Sequence, residues 1–598
     1  MRDATAYRLR DYSLTTLRGT TMLGDRWIYD RQPTERFPDY TRGNAGEVLA
    51  DPVSPIGWTF CCEPGMVRGC VDGFEQMGVF DALEYDTEWP ESFGLFGGYF
   101  YNSLTQSRLF GIRSGAGWEA IDNTFFDTDS QEIPPYEAAD WHDSPRHAQK
   151  LEATIGWCLA TPNVPEIDRH KVEVKALRDS RPDLTSLSDA QLLARARTMQ
   201  RYLRVTFSQV VWAALGSSIG NGILPTLITD DPSAITKLIT GIGDVDSADI
   251  AGRIFAMSRQ VNADAGLAAA FEAGLDDALD RIAAMDSDAA RAFTAAANDF
   301  MYTHGSRGPN EYDPYSWSYE SRPLLLTRAI DKVRGASDDH DPVAALKASA
   351  AERQRLIDHY SAAFADNPEA AGMFGAAVNS LAVFMQARER CKSNHIRVVG
   401  EVRECFLELG RRAVDAGHLA HVRQVFMLLA DELDDWLVDP ASFSSRLSER
   451  EADYLSLYDL EPPYIVKGSA PPLSQWRRKD SLTADAVSAG DVLNGVAGSP
   501  GVVTGTARVL HSLDDADKLE PGDILIAEST DPSWTPLFLA AGGVITNIGA
   551  IGTHAVIVSR ELGIPCVPSI ADATLRIPDG ATITLDGNVG TVTIDALA

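Results

Sequence analysis

The stretch Thr546-Asn-Ile-Gly-Ala-Ile-Gly-Thr-His-Ala-Val-Ile-Val-Ser-Arg-Glu-Leu-Gly-Ile-Pro565 decides how the C-terminal part of this chain folds. A glycine-bearing loop runs into Thr553-His554, an apolar run from Ala555 to Leu562 has helical character, and Gly563 and Pro565 close it. The pattern predicts an imidazole at the N-terminus of a short helix. The free backbone N–H groups at such an end suit a bound phosphate. An imidazole that is neutral near pH 7 is also a usable nucleophile toward phosphorus. A lone histidine at a helix start is more often structural, so the surroundings must decide. On both sides lie short Val/Ile/Thr runs punctuated by glycine turns, which predict strands. Residues 491–598 therefore read as a small α/β domain.

Working outward, Pro462-Pro463 and Pro471-Pro472 flank a polar stretch without periodicity that runs to about Gly490. Residues 466–490 read as a hinge linker. From about 185 to 460 the helical period dominates. Ser188-Asp-Ala-Gln191 is a capping-box start, and Leu192, Ala196, Met199, Leu203 and Val210 follow at helical spacing. Alanine-rich stretches over 264–297 and 341–363 predict further helices. Residues 1–60 read as irregular, and Gly97-Gly-Tyr-Phe-Tyr-Asn102 as strand or extended loop. The fold class is thus multidomain, a mainly α-helical domain over 1–465 followed by the α/β domain.

The 598 residues are enough for several cores, and 44% hydrophobic with 23% charged residues is ordinary for a globular protein. A net charge of −32 argues against nucleic acid as a partner, since phosphate contacts need clustered cations. Seven scattered cysteines give no disulfide framework and no CxxC pair, which suits free thiols in a reducing cytoplasm. No apolar run is expected to span a bilayer, and the N-terminus lacks the apolar core of a signal peptide. There is no GxxxxGK[ST] loop; Gly216-Ser-Ser-Ile-Gly-Asn-Gly222 is glycine-rich but lies in a helical context.

The His554 segment resembles the phosphohistidine swivelling domain of the phosphoenolpyruvate-utilising and dikinase superfamily, with its strand, Gly-Gly-x-x-Ser/Thr-His-Ala loop, short helix and Gly-Ile-Pro turn. The resemblance begins at Leu493-Asn-Gly-Val-Ala-Gly-Ser-Pro-Gly, continues through Pro521-Gly-Asp-Ile-Leu525 and Thr530-Asp-Pro-Ser-Trp-Thr-Pro-Leu-Phe538, and ends at Asp586-Gly-Asn-Val-Gly590. Ala550 replaces the second loop glycine, and Asn547 stands where a glutamate is common. Upstream, Asn44-Ala-Gly-Glu-Val-Leu-Ala-Asp-Pro-Val-Ser-Pro55 resembles the opening of the substrate domain of rifampicin phosphotransferases and phenylphosphate synthases. Gly305-Ser-Arg-Gly-Pro-Asn-Glu311 is similar to that family's Gly-His-Arg-Gly-x-x-Glu loop, with Ser306 at the histidine position and His304 displaced. Arg388-Glu-Arg-Cys-Lys392 is similar to its Arg-Glu-x-x-Lys helix.

The resemblance implies that His554 carries a transient phosphoryl group, with Thr553 beside it, and that Arg388, Lys392, Arg307 and Glu311 act at the acceptor. Asn44, Glu47, Asp313, Trp317 and Glu389 are the substrate-binding candidates. Leu381, Met385, Arg388, Lys392 and Val399 share one helical face, so an apolar stripe runs into two cations spaced i, i+4. Like charges at that spacing repel by a few tenths of a kcal/mol. A phosphoryl anion would offset this; so would snorkelling to solvent, or Glu389 and Glu401. Trp534, Pro536 and Phe538 are expected to pack beneath the histidine loop. Glu311 or Asp313 could assist deprotonation of a phenol, whose pKa is about 10.

No segment resembles an ATP-grasp module, so the resemblance is nearest to the histidine-bearing subunit of a phenylphosphate synthase. It implies ATP with Mg2+ or Mn2+ held mainly by a separate ATP-grasp subunit, a cytoplasmic hetero-oligomer, and neither a nucleic-acid nor a membrane partner. The expected acceptor is a small phenol such as phenol or p-cresol. The alternatives are an antibiotic hydroxyl of the rifamycin kind and a non-catalytic phosphohistidine carrier.

Overall fold

The computed structural model describes residues 26–125, 133–243, 246–338, 341–549 and 553–598. Its N-terminal part carries a small antiparallel sheet. Strands β1 (Asp39–Thr41), β2 (Phe93–Phe96), β3 (Tyr99–Ser103) and β4 (Ile465–Lys467) run in the order β2-β3-β1-β4. Gly97-Gly98 turns β2 into β3, so the extended reading of 97–102 becomes one arm of a hairpin.

The helical part is organised by two long helices, α1 (Asp189–Leu227) and a later one, Pro368–Asp415. Ser188 accepts the Gln191 N–H while the Gln191 side chain returns to the Ser188 N–H, which fixes where α1 begins. Next come α2 (Asp246–Ala263), α3 (Asp288–His304), α4 (Leu324–Arg334) and α5 (Pro342–Ala363), followed by the Pro368–Asp415 helix as α6. The alanine-rich 264–297 segment is three helices rather than one, because Ser287 caps α3 afresh through the Ala290 N–H. The glycine-rich Gly216–Gly222 stretch is helix; Gly216 and Gly220 face α6, whereas a Cβ on Gly222 would meet open space. A Cβ on Gly216 would lie 2.5 Å from the Phe384 ring, and one on Gly220 would lie 2.7 Å from the Ala377 carbonyl oxygen. These glycines let two backbones approach; they do not cradle phosphate.

By length and composition α1 and α6 each contain a window apolar enough to cross a membrane, which corrects the expectation that no such run exists. They pack along one another. All seven cysteines are buried and free.

The C-terminal domain holds β5 (Val492–Asn494), β6 (Val502–Val509), β7 (Ile524–Ala527), β8 (Gly543–Thr546), β9 (Cys566–Val567), β10 (Thr582–Asp586) and β11 (Thr591–Ala596). The order is β9-β8-β7-β6-β10-β11-β5. The β6 to β9 half is parallel and the β10, β11, β5 half antiparallel. Helix α7 (His554–Leu562) crosses from β8 to β9, and Gly563 ends it at φ 70°, a conformation glycine adopts without Cβ strain.

The stretch read as hinge linker is packed over much of its length. Val466 lies in β4, and Ala470, Leu473 and Trp476 are buried in the same core as Trp27, Tyr99 and Tyr454. Tyr29 donates to the Pro471 carbonyl. Arg477 and Arg478 pair with Glu461 and Leu460, and Val487 enters the core of the α/β domain, so the connection is anchored at several points before β5.

The α/β domain is docked on the helical one. Leu539 and Leu562 enter the apolar cluster formed by Ile254 of α2, Phe293 of α3 and Ile330 of α4. The Glu561 carboxylate accepts the Gly241 N–H. Docking is what builds the site.

Candidate active site

His554 opens α7, half-buried, with Thr553 as the extended residue before it. Its Nδ1 is hydrogen-bonded to Thr530 Oγ1 at 3.0 Å, and the Phe538 ring meets it edge-on at 5.8 Å between centroids. Trp534 is buried in the same cluster as Phe538, Ala555 and Val556. Thr553 gives no side-chain cap, and its buried Oγ1 has no hydrogen-bond partner among the described residues. Ala550 lies outside the described residues. Asn547 clamps the turn at Thr574, taking the Thr574 N–H on Oδ1 and giving Nδ2–H to Thr574 Oγ1.

The surroundings of His554 come from both domains. Burial, then Lys392, then Arg307 push its pKa well below the ordinary imidazole value, so the ring is neutral in the docked state. Arg307 is almost fully buried. It donates Nε–H and Nη2–H to the two Glu311 oxygens at 2.6 and 3.1 Å, and Nη1–H to Ser393 Oγ at 3.3 Å. Lys392 Nζ stands 3.7 Å from Glu311 Oε1. Glu311 thus bridges the two cations and offsets the repulsion that the sequence left open at Lys392. Glu401 takes no part, being held by Arg181 and Arg195 at 2.5 and 2.6 Å.

The other candidates are placed as follows. Arg388 lies one turn before Lys392 on α6, half-buried, and its charge is felt at Tyr312 together with that of Glu389. Glu389 also acts on Glu561 of the docked domain. Asp313 is fully buried and takes the Ser54 N–H at 2.6 Å, the Ser54 hydroxyl at 2.7 Å and the Tyr315 N–H at 2.9 Å. Its reading as a proton acceptor is corrected accordingly: the carboxylate is occupied in tying the Pro55 turn to the 313–315 loop. The Glu47 side chain lies outside the described side chains. His304 is turned away, with Nε2 on Asp249 Oδ2 at 2.7 Å.

Between the domains lies a cavity of about 890 Å³. Asn44, Asn310 and Trp317 line it from the helical side, Thr530, Asp531 and Asn547 from the other. Asn44 begins a short helix at φ 59°. The Trp317 ring is flanked by the Arg423 and Arg322 guanidinium groups at 5.1 and 6.0 Å. His554 adjoins the cavity through Thr530. Sequence reasoning gave no role to Thr530, Asp531, Asn310 or Ser393. The polar start of the Thr530–Phe538 motif was the available signal for the first two.

Residues 206–389 match the family described as rifampicin phosphotransferase fourth domain, and residues 519–590 match the PEP-utilising enzyme mobile domain. The matches support a member of the PEP-utilising dikinase superfamily. An uncharacterised protein of Mycobacterium tuberculosis is 30% identical over 373 residues, 61% of this chain and 40% of that protein. A rifampicin phosphotransferase of Streptomyces sviceus is 30% identical over 330 residues, 53% of this chain and 36% of its own length. The prodigiosin synthesizing transferase PigC of Serratia marcescens is 28% identical over 370 residues, 60% of this chain and 40% of that protein. The chain thus spans about 36 to 40% of the length of these curated relatives. These similarities support a phosphotransferase.

Proposed function

We propose that this chain is the acceptor-binding and phosphohistidine-bearing part of an ATP-dependent dikinase-type phosphotransferase. In this reading a separate ATP-grasp subunit holds Mg-ATP. Water takes the γ-phosphoryl group, which leaves as phosphate; the β-phosphoryl group passes to His554, and AMP leaves. In the tautomer that gives Nδ1–H to Thr530 Oγ1, Nε2 keeps its lone pair and is the nitrogen that takes the phosphoryl group. The α/β domain then docks as described above, and the P–N bond breaks as an aromatic hydroxyl oxygen attacks phosphorus. Lys392 and Arg307 stabilise the charge on the transferring group, with Glu311 holding both in place. The leaving imidazole nitrogen regains its lone pair and can take the hydroxyl proton, so Asp313 is not needed as a base.

The observation that carries the reading is the placement of His554 from one domain against Lys392 and Arg307 of the other. Two cations within electrostatic reach of this half-buried imidazole disfavour its protonated form and favour an anionic group carried on it. As acceptor, an aromatic hydroxyl fits a wall that includes Trp317. The 890 Å³ of space lies in the range of drug-sized ligands. That favours an acceptor larger than a single ring, the rifamycin-like class, over phenol or p-cresol.

The test is a reconstitution with an ATP-grasp partner and [β-32P]ATP, with phenols and rifamycins as acceptors. Acceptor-dependent AMP release and an acid-labile label on this chain are expected. Label transfer that persists in His554→Ala would contradict the proposal.

A further inference from the structure

Trp317, Arg322 and Arg423 line the cavity together from the helical side, all three half-buried. The Arg423 and Arg322 guanidinium carbons lie 5.1 and 6.0 Å from the centre of the Trp317 ring. Neither arginine forms an ion pair with a carboxylate among the described residues, although the chain carries 85 acidic against 53 basic side chains. Glu461, Asp51 and Asp531 share the cavity and are engaged elsewhere. Lys479, Arg477 and Arg42 act on Glu461, Lys479 and Arg42 act on Asp51, and Asp531 accepts the Ser533 N–H and hydroxyl.

Aromatic stacking accounts for one of the two arginines. Arg423 lies 3.6 Å from the centre of the Tyr315 ring, a close cation–π contact. Arg322 has no such seat. Its 6.0 Å from the Trp317 ring is the outer limit of that attraction, and its side chain makes no hydrogen bond to the described residues. None of its nitrogens is among the buried unpaired atoms, so its donors are open to solvent. A guanidinium stays charged at any working pH and presents five donors in a planar fork. Here that fork stands beside an indole ring in the wall of a cavity, with no carboxylate of the chain to fill it.

We infer that Arg322 receives a carboxylate of the phosphoryl acceptor, with the acceptor's aromatic ring against Trp317 and Arg423 adding a second positive charge. The inference rests on the function proposed above and narrows the acceptor to aromatic hydroxyl compounds that also carry a carboxylate. Carboxylate and guanidinium match as a bidentate pair, stronger and more directional than a neutral hydrogen bond. Such a hold orients the acceptor and leaves Lys392 and Arg307 to the transferring group.

The test is calorimetric titration of 6-hydroxy-2-naphthoate, 2-naphthol and inorganic phosphate into the full chain, as the parent and as Arg322→Gln. The parent is expected to bind the hydroxynaphthoate about ten-fold more tightly than 2-naphthol. Arg322→Gln should bind the two alike, and Arg322→Lys, which keeps the charge, should recover part of the preference. A parent without preference for the carboxylate, or a preference retained in Arg322→Gln, would overturn the inference. So would phosphate that binds as tightly as the hydroxynaphthoate and is lost in Arg322→Gln, since the arginine would then serve a free anion. Binding requires neither ATP nor a charged His554. Failure of phosphoryl transfer therefore sinks the proposed reaction and leaves this result standing, whereas absence of the carboxylate preference sinks the role of Arg322 alone.

Discussion

Lys392 is the residue whose loss separates the two half-reactions. It belongs to the helical domain and meets His554 only on docking. Lys392→Ala is therefore expected to leave charging of His554 near the parent rate. Transfer to the acceptor should slow by about 2 to 4 kcal/mol of barrier, the scale for removing one preorganised charge contact. Single-turnover rates for the two steps check this, and equal slowing of both would place Lys392 elsewhere in the mechanism. At this scale the sequence was legible where the signal is local. The change from glycine loop to apolar helix before His554 stands in one short segment, and so does the Arg307-to-Glu311 spacing. Thr530, Asn310 and Asp531 were not legible. Each matters through a partner far along the chain; the polar start of the Thr530–Phe538 motif signals Thr530 and Asp531 without naming their partners, and nothing near Asn310 marks its contact.

Among the elements, α6 carries Arg388, Lys392 and Ser393 and is held by α1 through glycines. A side chain at Gly220 would press on the α6 backbone at Ala377. Gly220→Val is expected to destabilise the helical domain by about 1 to 3 kcal/mol through overpacking. Chemical charging of His554 on the other domain should be spared. Denaturant midpoints and phosphohistidine yield measured together check both halves. The helical period and the Ser188 capping box announced these elements, because burial of one helix face imposes a pattern every few residues. The linker was misjudged for the converse reason. Ala470, Leu473 and Trp476 are a few apolar residues amid polar ones, without periodicity, and only the core they enter reveals that they pack. The glycines of α1 lie in the helical context read from the sequence, and close packing on α6 explains two of them, Gly216 and Gly220.

The proposed reaction requires the α/β domain to undock and redock, and the interface seen here carries groups that would make that step sensitive to pH in two directions. Glu461 lines the cavity opposite Glu528 of the mobile domain. Burial, then Glu528, raise its pKa to about 7, against the opposing pull of Lys479, Arg477 and Arg42. Burial likewise raises Glu561 to about 7 and Asp51 to about 6. A raised carboxylate pKa means that docking takes up protons, so this contribution is present at low pH and lost as pH rises through 6 to 7. His554 acts with the opposite sign. The docked state depresses its pKa, so docking weakens as pH falls below the free imidazole value of about 6.5. Three carboxylates take up protons on docking where one imidazole releases one, so docking is expected to tighten as pH falls from 8.5 to 5.5. A radius of gyration measured by X-ray scattering over that range should fall with pH, and Glu461→Gln should flatten the profile. A flat profile would show that the docked arrangement does not respond to these groups.

The central claim is that His554 takes a phosphoryl group on Nε2 and gives it up at the Lys392–Arg307 cluster. The most direct measurement is 31P NMR of the chain charged chemically with phosphoramidate, followed by addition of an aromatic hydroxyl compound. The account predicts one phosphohistidine resonance mapping to His554 Nε2, absent in His554→Ala, that decays as an aryl phosphate resonance grows, with slower decay in Lys392→Ala. A resonance that maps to another residue, or an aryl phosphate that forms undiminished in His554→Ala, would contradict it.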